Sequence, residues 1–246
     1  MTLDLDALTL TAGAHEDRGN GLCLMEAVAW FAGEGHSDHP VCVSPVLGAF
    51  GRVLNDVLPD GRRQDLKPLV PLLPGTAGDG KDQVRGLMAA DWLVRVYLPA
   101  WLELAGLDAG ELRGLPVLDS GDAAAAAQPV LDSARARAAA AWDIAWDTAW
   151  VAAGAAACEA AWDAAFDAAW DAARDAPWDA PWVAAWVAAR DAARDAAWVA
   201  GWVAGWDAAR DAAGDAAGNA LAPTVIMLQD SAVILFRRMI AGVPGE

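Results

Sequence analysis

From Trp142 to about Gly218 the chain repeats every four residues, close to bulky-acidic-Ala-Ala, as in Trp162-Asp163-Ala164-Ala165. Eleven of the 14 tryptophans occupy the first slot. The second slot is mostly Asp, sometimes Val. Ala is the best helix former, so the repeat reads as helix. Ala and Asp are poor strand residues, which argues against a β-solenoid. Four residues overshoot the helical period of about 3.6, so each repeat advances roughly 400° and the bulky stripe creeps about 40° per step. That drift lies on the right-handed side of supercoiling. No single seam can therefore run the length of a straight helix.

The bulky residues fall into triplets at 142/146/150, 162/166/170, 178/182/186 and 198/202/206. At about 100° per residue, successive triplets face opposite sides of one continuous helix. The alternatives are a helix sandwiched between partners or a chain broken into shorter helices. Asp175-Ala-Pro177 and Asp179-Ala-Pro181 favour a break, because Asp caps a helix and Pro is tolerated in its first turn. One helix is expected to end near Ala176 and another to start near Asp179. Asp at i, i+4 is mildly repulsive, and Asp171–Arg174, Asp191–Arg194 and Asp207–Arg210 relieve only part of it. Burial of Trp must hold the segment together. Trp142, Trp146, Trp150, Trp162, Trp178, Trp182, Trp198 and Trp202 are the candidate interaction residues. Plain core packing within a bundle accounts for the same pattern.

Charge narrows the partners. The chain carries 17 Lys+Arg and 34 Asp+Glu, a formal charge of −17. Residues 1–133 hold 9 basic and 19 acidic groups, and residues 134–221 hold 6 and 13. There is no basic patch for phosphate, so direct nucleic-acid binding is not expected. Cys23, Cys42 and Cys158 are few and far apart, which indicates no disulfide framework and a reducing cytoplasm. Met-Thr-Leu-Asp-Leu-Asp lacks the basic and apolar regions of a signal peptide. No uncharged apolar run approaches the roughly 18 residues of a membrane span.

Outside the repeat the pattern is also helical, and the whole chain is expected to be all-α. Residues 1–19 read as a loose arm and 20–118 as a helical head. Within the head, Gly21 opens one helix, Ser44-Pro45 caps another, and Asp82 to about Ala105 forms a long helix kinked at Pro99. Arg62 to Leu73 reads as a short helix interrupted at Pro68 and Pro71. Asp119-Ser120 caps the helix leading into the repeat region, 119–221. Residues 222–246 contain a last helix expected to pack on the head. The repeat would then be a helical hairpin or bundle inserted before that helix.

Two groups of residues could carry chemistry. In Gly19-Asn20-Gly21-Leu22-Cys23-Leu24, a cysteine sits at a helix N-terminus, where the dipole favours a thiolate. The stretch resembles the nucleophile segment of ovarian-tumour-type cysteine proteases, which implies Cys23 as a nucleophile. That family takes its catalytic His from far downstream, whereas no His follows His39 here, so His15, His36 or His39 would serve. A buried, inert cysteine fits the position as well. His36, His39 and Cys42, spaced three apart, are zinc-type ligands and candidate metal residues together with Cys23. Loop histidines that hydrogen-bond fit the same spacing. Gly75 to Gly80 lacks the Lys-Ser/Thr of a phosphate loop. Glu26, Glu34 and Asp91 are scattered acids with no visible pairing.

Cys23-Leu-Met-Glu-Ala-Val-Ala, Ser37-Asp-His-Pro40, Leu66-Lys-Pro68 and Met88-Ala-Ala-Asp-Trp-Leu93, with the Ala/Trp tail, resemble a group of uncharacterised actinobacterial and actinophage proteins. That resemblance implies an origin and no mechanism. The expected function is a non-enzymatic structural or interaction module acting through the repeat, without a cofactor, by self-association or on another protein. The alternatives are a cysteine- or zinc-dependent enzyme centred on Cys23, His36, His39 and Cys42, and an acidic decoy of a nucleic-acid-binding protein.

Overall fold

The computed structural model describes residues 4–149 and 214–243, with side chains described for 4–141 and 221–243. Among these residues the protein is all-α, with no strand. The expected hairpin and the break near Ala176–Asp179 lie outside the described residues. No helix among the described residues is long and apolar enough to cross a membrane. The chain divides into two compact units.

The described part of the first unit is 4–89 and 231–243. It holds α1 (Leu24–Phe31), α2 (Pro45–Val57), α3 (Asp60–Arg63), a 3₁₀ segment (Gln64–Leu72) and the start of α4 (Asp82–Trp92). It also holds the end of α8 (Gly214–Ala241). The α2 start follows the sequence signal: Ser44 Oγ accepts from Leu47 N at 3.4 Å, and Pro45 occupies the first turn. Pro68 and Pro71 cannot donate to an α ladder, and the chain there takes the tighter 3₁₀ path. The core is built from Leu24, Met25, Val28, Leu47, Leu54, Leu66 and Val70, all nearly inaccessible. Phe50 stacks on Phe236 of α8, ring centroids 5.5 Å apart and 19° from parallel. Gly51 makes this approach possible: a Cβ there would sit 2.7 Å from Met25 Cε and 2.9 Å from Phe236 Cζ.

The stretch expected to be a loose arm is tied down. Leu8 and Leu10 are buried. Leu10 N donates to Gln64 Oε1 and Gln64 Nε2 donates to Leu10 O, each at 2.9 Å. Asn55 Nδ2 donates to Thr11 O at 2.9 Å, and Asn55 Oδ1 accepts from Leu24 N at 3.1 Å. Two amide side chains, buried Asn55 and half-buried Gln64, thus replace the strand or helix partners that this irregular segment lacks.

A second buried polar centre closes α8 onto the α4 start. Arg85, fully buried, donates through Nε to Met239 O at 3.0 Å and through Nη2 to Asp79 Oδ2 at 2.6 Å. Its Nη1 donates to Asp79 Oδ1 at 2.8 Å and Asp82 Oδ1 at 3.2 Å. Lys81 Nζ donates to Ala241 O at 3.1 Å. Cations thereby meet the last carbonyls of α8, where the helix dipole favours positive charge.

The described part of the second unit is 90–149 and 214–230. From α4 the chain continues through a π-helical turn (Leu93–Tyr97) into α5 (Leu98–Leu104), then α6 (Gly110–Arg113) and α7 (Gly121–Ala149). Just before Pro99, where a kink is expected, the chain makes this turn. Leu98 N reaches back five residues to Leu93 O. The extra residue relieves the clash that the Pro99 ring would make with the Arg95 carbonyl in an unbroken α register. Ser120 Oγ accepts from Ala123 N at 3.2 Å and caps α7. Ala124, Ala127, Leu131, Ala134 and Ala138 form the buried stripe of α7. Their alternating three- and four-residue steps keep one face inward.

Candidate functional site

A cluster of titratable side chains that includes the sequence candidates Cys23, His15 and His36 gathers at the start of α1. Cys23 is its N-cap: the thiol Sγ accepts from Glu26 N at 3.5 Å, and the Glu26 carboxylate accepts from Cys23 N at 2.7 Å. This is a capping box with sulfur in place of the usual hydroxyl. Glu26 is only 1% exposed. Its Oε1 accepts from His15 N at 2.6 Å, and its Oε2 lies 2.8 Å from His15 Nδ1. A carboxylate can only accept here, so Nδ1 is the donor. His15 Nε2 lies 3.0 Å from Thr11 Oγ1, which also accepts from Leu22 N at 3.1 Å. His36 Nε2 donates to His15 O at 2.8 Å and stands 3.6 Å from Glu26 Oε1.

Gly21 makes room for this arrangement. Its φ is +132°, and a Cβ there would collide with His15 Nε2 and Thr11 Oγ1, both at 2.6 Å. Only glycine combines that backbone with that clearance.

The electrostatics follow from burial and donors. Burial alone would raise the Glu26 pKa, but the bonds from Cys23 N, His15 N and the His15 ring outweigh it and hold the carboxyl below its ordinary value. Cys23 is pushed the other way, up to about 12, first by burial and then by the negative charge of Glu26. The helix N-terminus does not make this cysteine a thiolate, because desolvation and the adjacent carboxylate dominate the dipole. Both histidines bond to Glu26 or backbone rather than to sulfur. At neutral pH the set holds an ionised carboxylate and a protonated thiol, and its geometry fixes the arm 11–22 to α1.

The other candidates separate. His39 is exposed and pairs with Asp38, Nδ1 to Oδ1 at 2.7 Å. Cys42 N and Val41 N donate to the Glu34 carboxylate at 2.9 and 2.8 Å. Burial and then Glu34 raise the Cys42 thiol to about 11, while the contact with Cys42 leads the effects that lower Glu34. No group of three His, Cys, Asp or Glu side chains among the described residues is arranged to hold a metal ion. Trp142 and Trp146 lie within α7, without described side chains. Trp150, Trp162, Trp178, Trp182, Trp198 and Trp202 lie outside the described residues.

Glu26 is the residue that spacing alone did not single out as a centre. Its signal was local: Cys23-x-x-Glu26 has the capping-box interval, with Cys where Ser or Thr usually stands. No protein-family model matches the chain, and no curated protein and no solved structure matches it.

Proposed function

We propose that this protein is a non-enzymatic interaction module whose acidic, Trp-rich repeat makes its contacts, with a second copy or with another protein. The observation that carries the reading is the state of Cys23. Its thiol is buried, pushed up to about 12, and committed to capping a helix. The residue best placed by sequence for nucleophilic chemistry therefore serves the scaffold. The supply of contact chemistry lies in the repeat, with eleven tryptophans and recurrent Asp. Aromatic rings supply most of the energy at protein interfaces, and flanking acids set partner choice.

Light-scattering mass of the full chain, beside a full-length variant with Trp178, Trp182, Trp198 and Trp202 changed to Ala, tests this. The expected result is an assembly larger than the 25.5 kDa chain that the variant loses at unchanged stability. A variant that drops in stability by about 3–5 kcal/mol per ring, with its mass unchanged, would make these rings core and overturn the proposal. Assembly should persist in about 1 M salt, where the Debye length is near 3 Å. Steep loss with salt would instead favour the acidic-decoy alternative.

A further inference from the structure

The π-helical turn of the second unit brings three aromatic rings into one row. In an α-helix, residues five apart point to different faces. Across this turn Trp92 and Tyr97 meet, with centroids 5.4 Å apart. Tyr97 then meets Trp101 edge-on at 6.1 Å. Tyr97 is 0% exposed and Trp101 is 1% exposed. Both carry a polar atom, and neither Tyr97 Oη nor Trp101 Nε1 has a hydrogen-bond partner. Burial raises the Tyr97 phenol, and the Trp101 indole N–H pulls it back, so the two polar atoms are neighbours without completing a bond.

An unpaired buried donor forfeits its bonds to water and gains nothing in return, and native proteins rarely leave one. Here there are two, one turn apart on the same stretch of helix. Phe would fill the Tyr97 position without that cost. The indole N–H can only donate, whereas the phenol can donate and accept, so even a bond between the two would leave the Tyr97 hydroxyl without an acceptor. π-turns are also enriched at functional sites.

We propose that this turn builds a site for one hydrogen-bond-accepting oxygen, held jointly by the Tyr97 hydroxyl and the Trp101 indole N–H. The oxygen belongs to an ordered water or to the carboxylate of a small ligand. The chemistry is the same in both cases, and the experiment separates the sources.

The test uses the full chain labelled with ¹⁵N, with the Trp101 indole resonance assigned through bonds in the wild type. Two signals are read at that resonance: a cross-relaxation peak to water, and a saturable shift on titration with sodium acetate against a sodium chloride control. A water peak without an acetate shift identifies bound water. A saturable acetate shift identifies a carboxylate site, and Tyr97→Phe should then weaken acetate by about tenfold or more. If the wild type shows neither signal, the proposal is overturned. Both signals are read on the wild type, so that outcome stands whether or not Tyr97→Phe folds.

Discussion

Replacing Glu26 by Gln keeps the shape of the side chain and removes its charge, and the structure sets what that should cost. The carboxylate accepts three protein donors, from His15 N, His15 Nδ1 and Cys23 N. An amide has one accepting oxygen and one donating nitrogen. With its oxygen at the Oε2 position, Gln keeps the bonds from Cys23 N and His15 Nδ1 but turns a donor toward His15 N. With the amide flipped, it loses two bonds instead. The better orientation leaves one buried donor unpaired, at about 1–3 kcal/mol. Both surviving bonds also lose charge assistance, which makes such bonds roughly twice as strong as neutral ones. Together these give about 2–4 kcal/mol. Amide hydrogen exchange at His15 and Cys23 reads this locally: protection should fall by roughly 30- to 1,000-fold at about 1.4 kcal/mol per tenfold. The loss should also depend on pH in a defined direction. The folded-state Glu26 pKa lies below its unfolded value, so its stabilisation is complete above the unfolded value near 4.5 and is lost as pH falls through the folded one. The variant should lack this component and keep only the dependence due to other depressed carboxyls such as Glu34. Protection within about threefold of wild type would refute the claim that Glu26 organises this site.

Three further perturbations test the scaffold. Arg85→Met leaves Asp79 and Asp82 beside a site that has lost its cation, and should destabilise the first unit by about 3–5 kcal/mol in urea unfolding, whereas Lys81→Met, at an exposed contact, should cost under about 1 kcal/mol. Alkylation of native Cys23 by iodoacetamide should be negligible from pH 6 to 8 and become rapid only in denaturant; because the folded pKa is raised to about 12, the protein should also lose stability as pH rises above about 9. Fast labelling of the native thiol at pH 6 would restore the nucleophile reading.

Local signals were legible in the sequence and long-range ones were not. Ser44-Pro45 and Ser120 announce helix starts because capping depends on residues within one turn. The helical class of the described residues follows from the Ala content and periodicity. Glu26, Glu34 and Asp91 looked like scattered acids, yet each receives a backbone N–H from a distant segment. Glu26 takes that of His15, Glu34 takes those of Val41 and Cys42, and Asp91 takes that of Leu118 at 2.9 Å. A backbone donor has no residue type, so nothing in the letters marks such a pair. The histidines were grouped by their spacing in the chain. The fold instead sets His15 and His36 around Glu26 and leaves His39 with Asp38. Pro99 announces a disturbance but not its form, here a π-turn.

The bond from Arg85 to Met239 joins positions 154 residues apart, and everything between them, the tetrapeptide repeat included, is the loop it closes. Closure entropy grows only as the logarithm of loop length, so doubling that interval would cost about 0.6 kcal/mol. By the same scaling, one added or deleted tetrapeptide changes the closure term by only about 0.02 kcal/mol. Set against the several kcal/mol held at Arg85, that is negligible. The closure term at this clasp is therefore nearly indifferent to how many tetrapeptides the sequence carries between Arg85 and Met239.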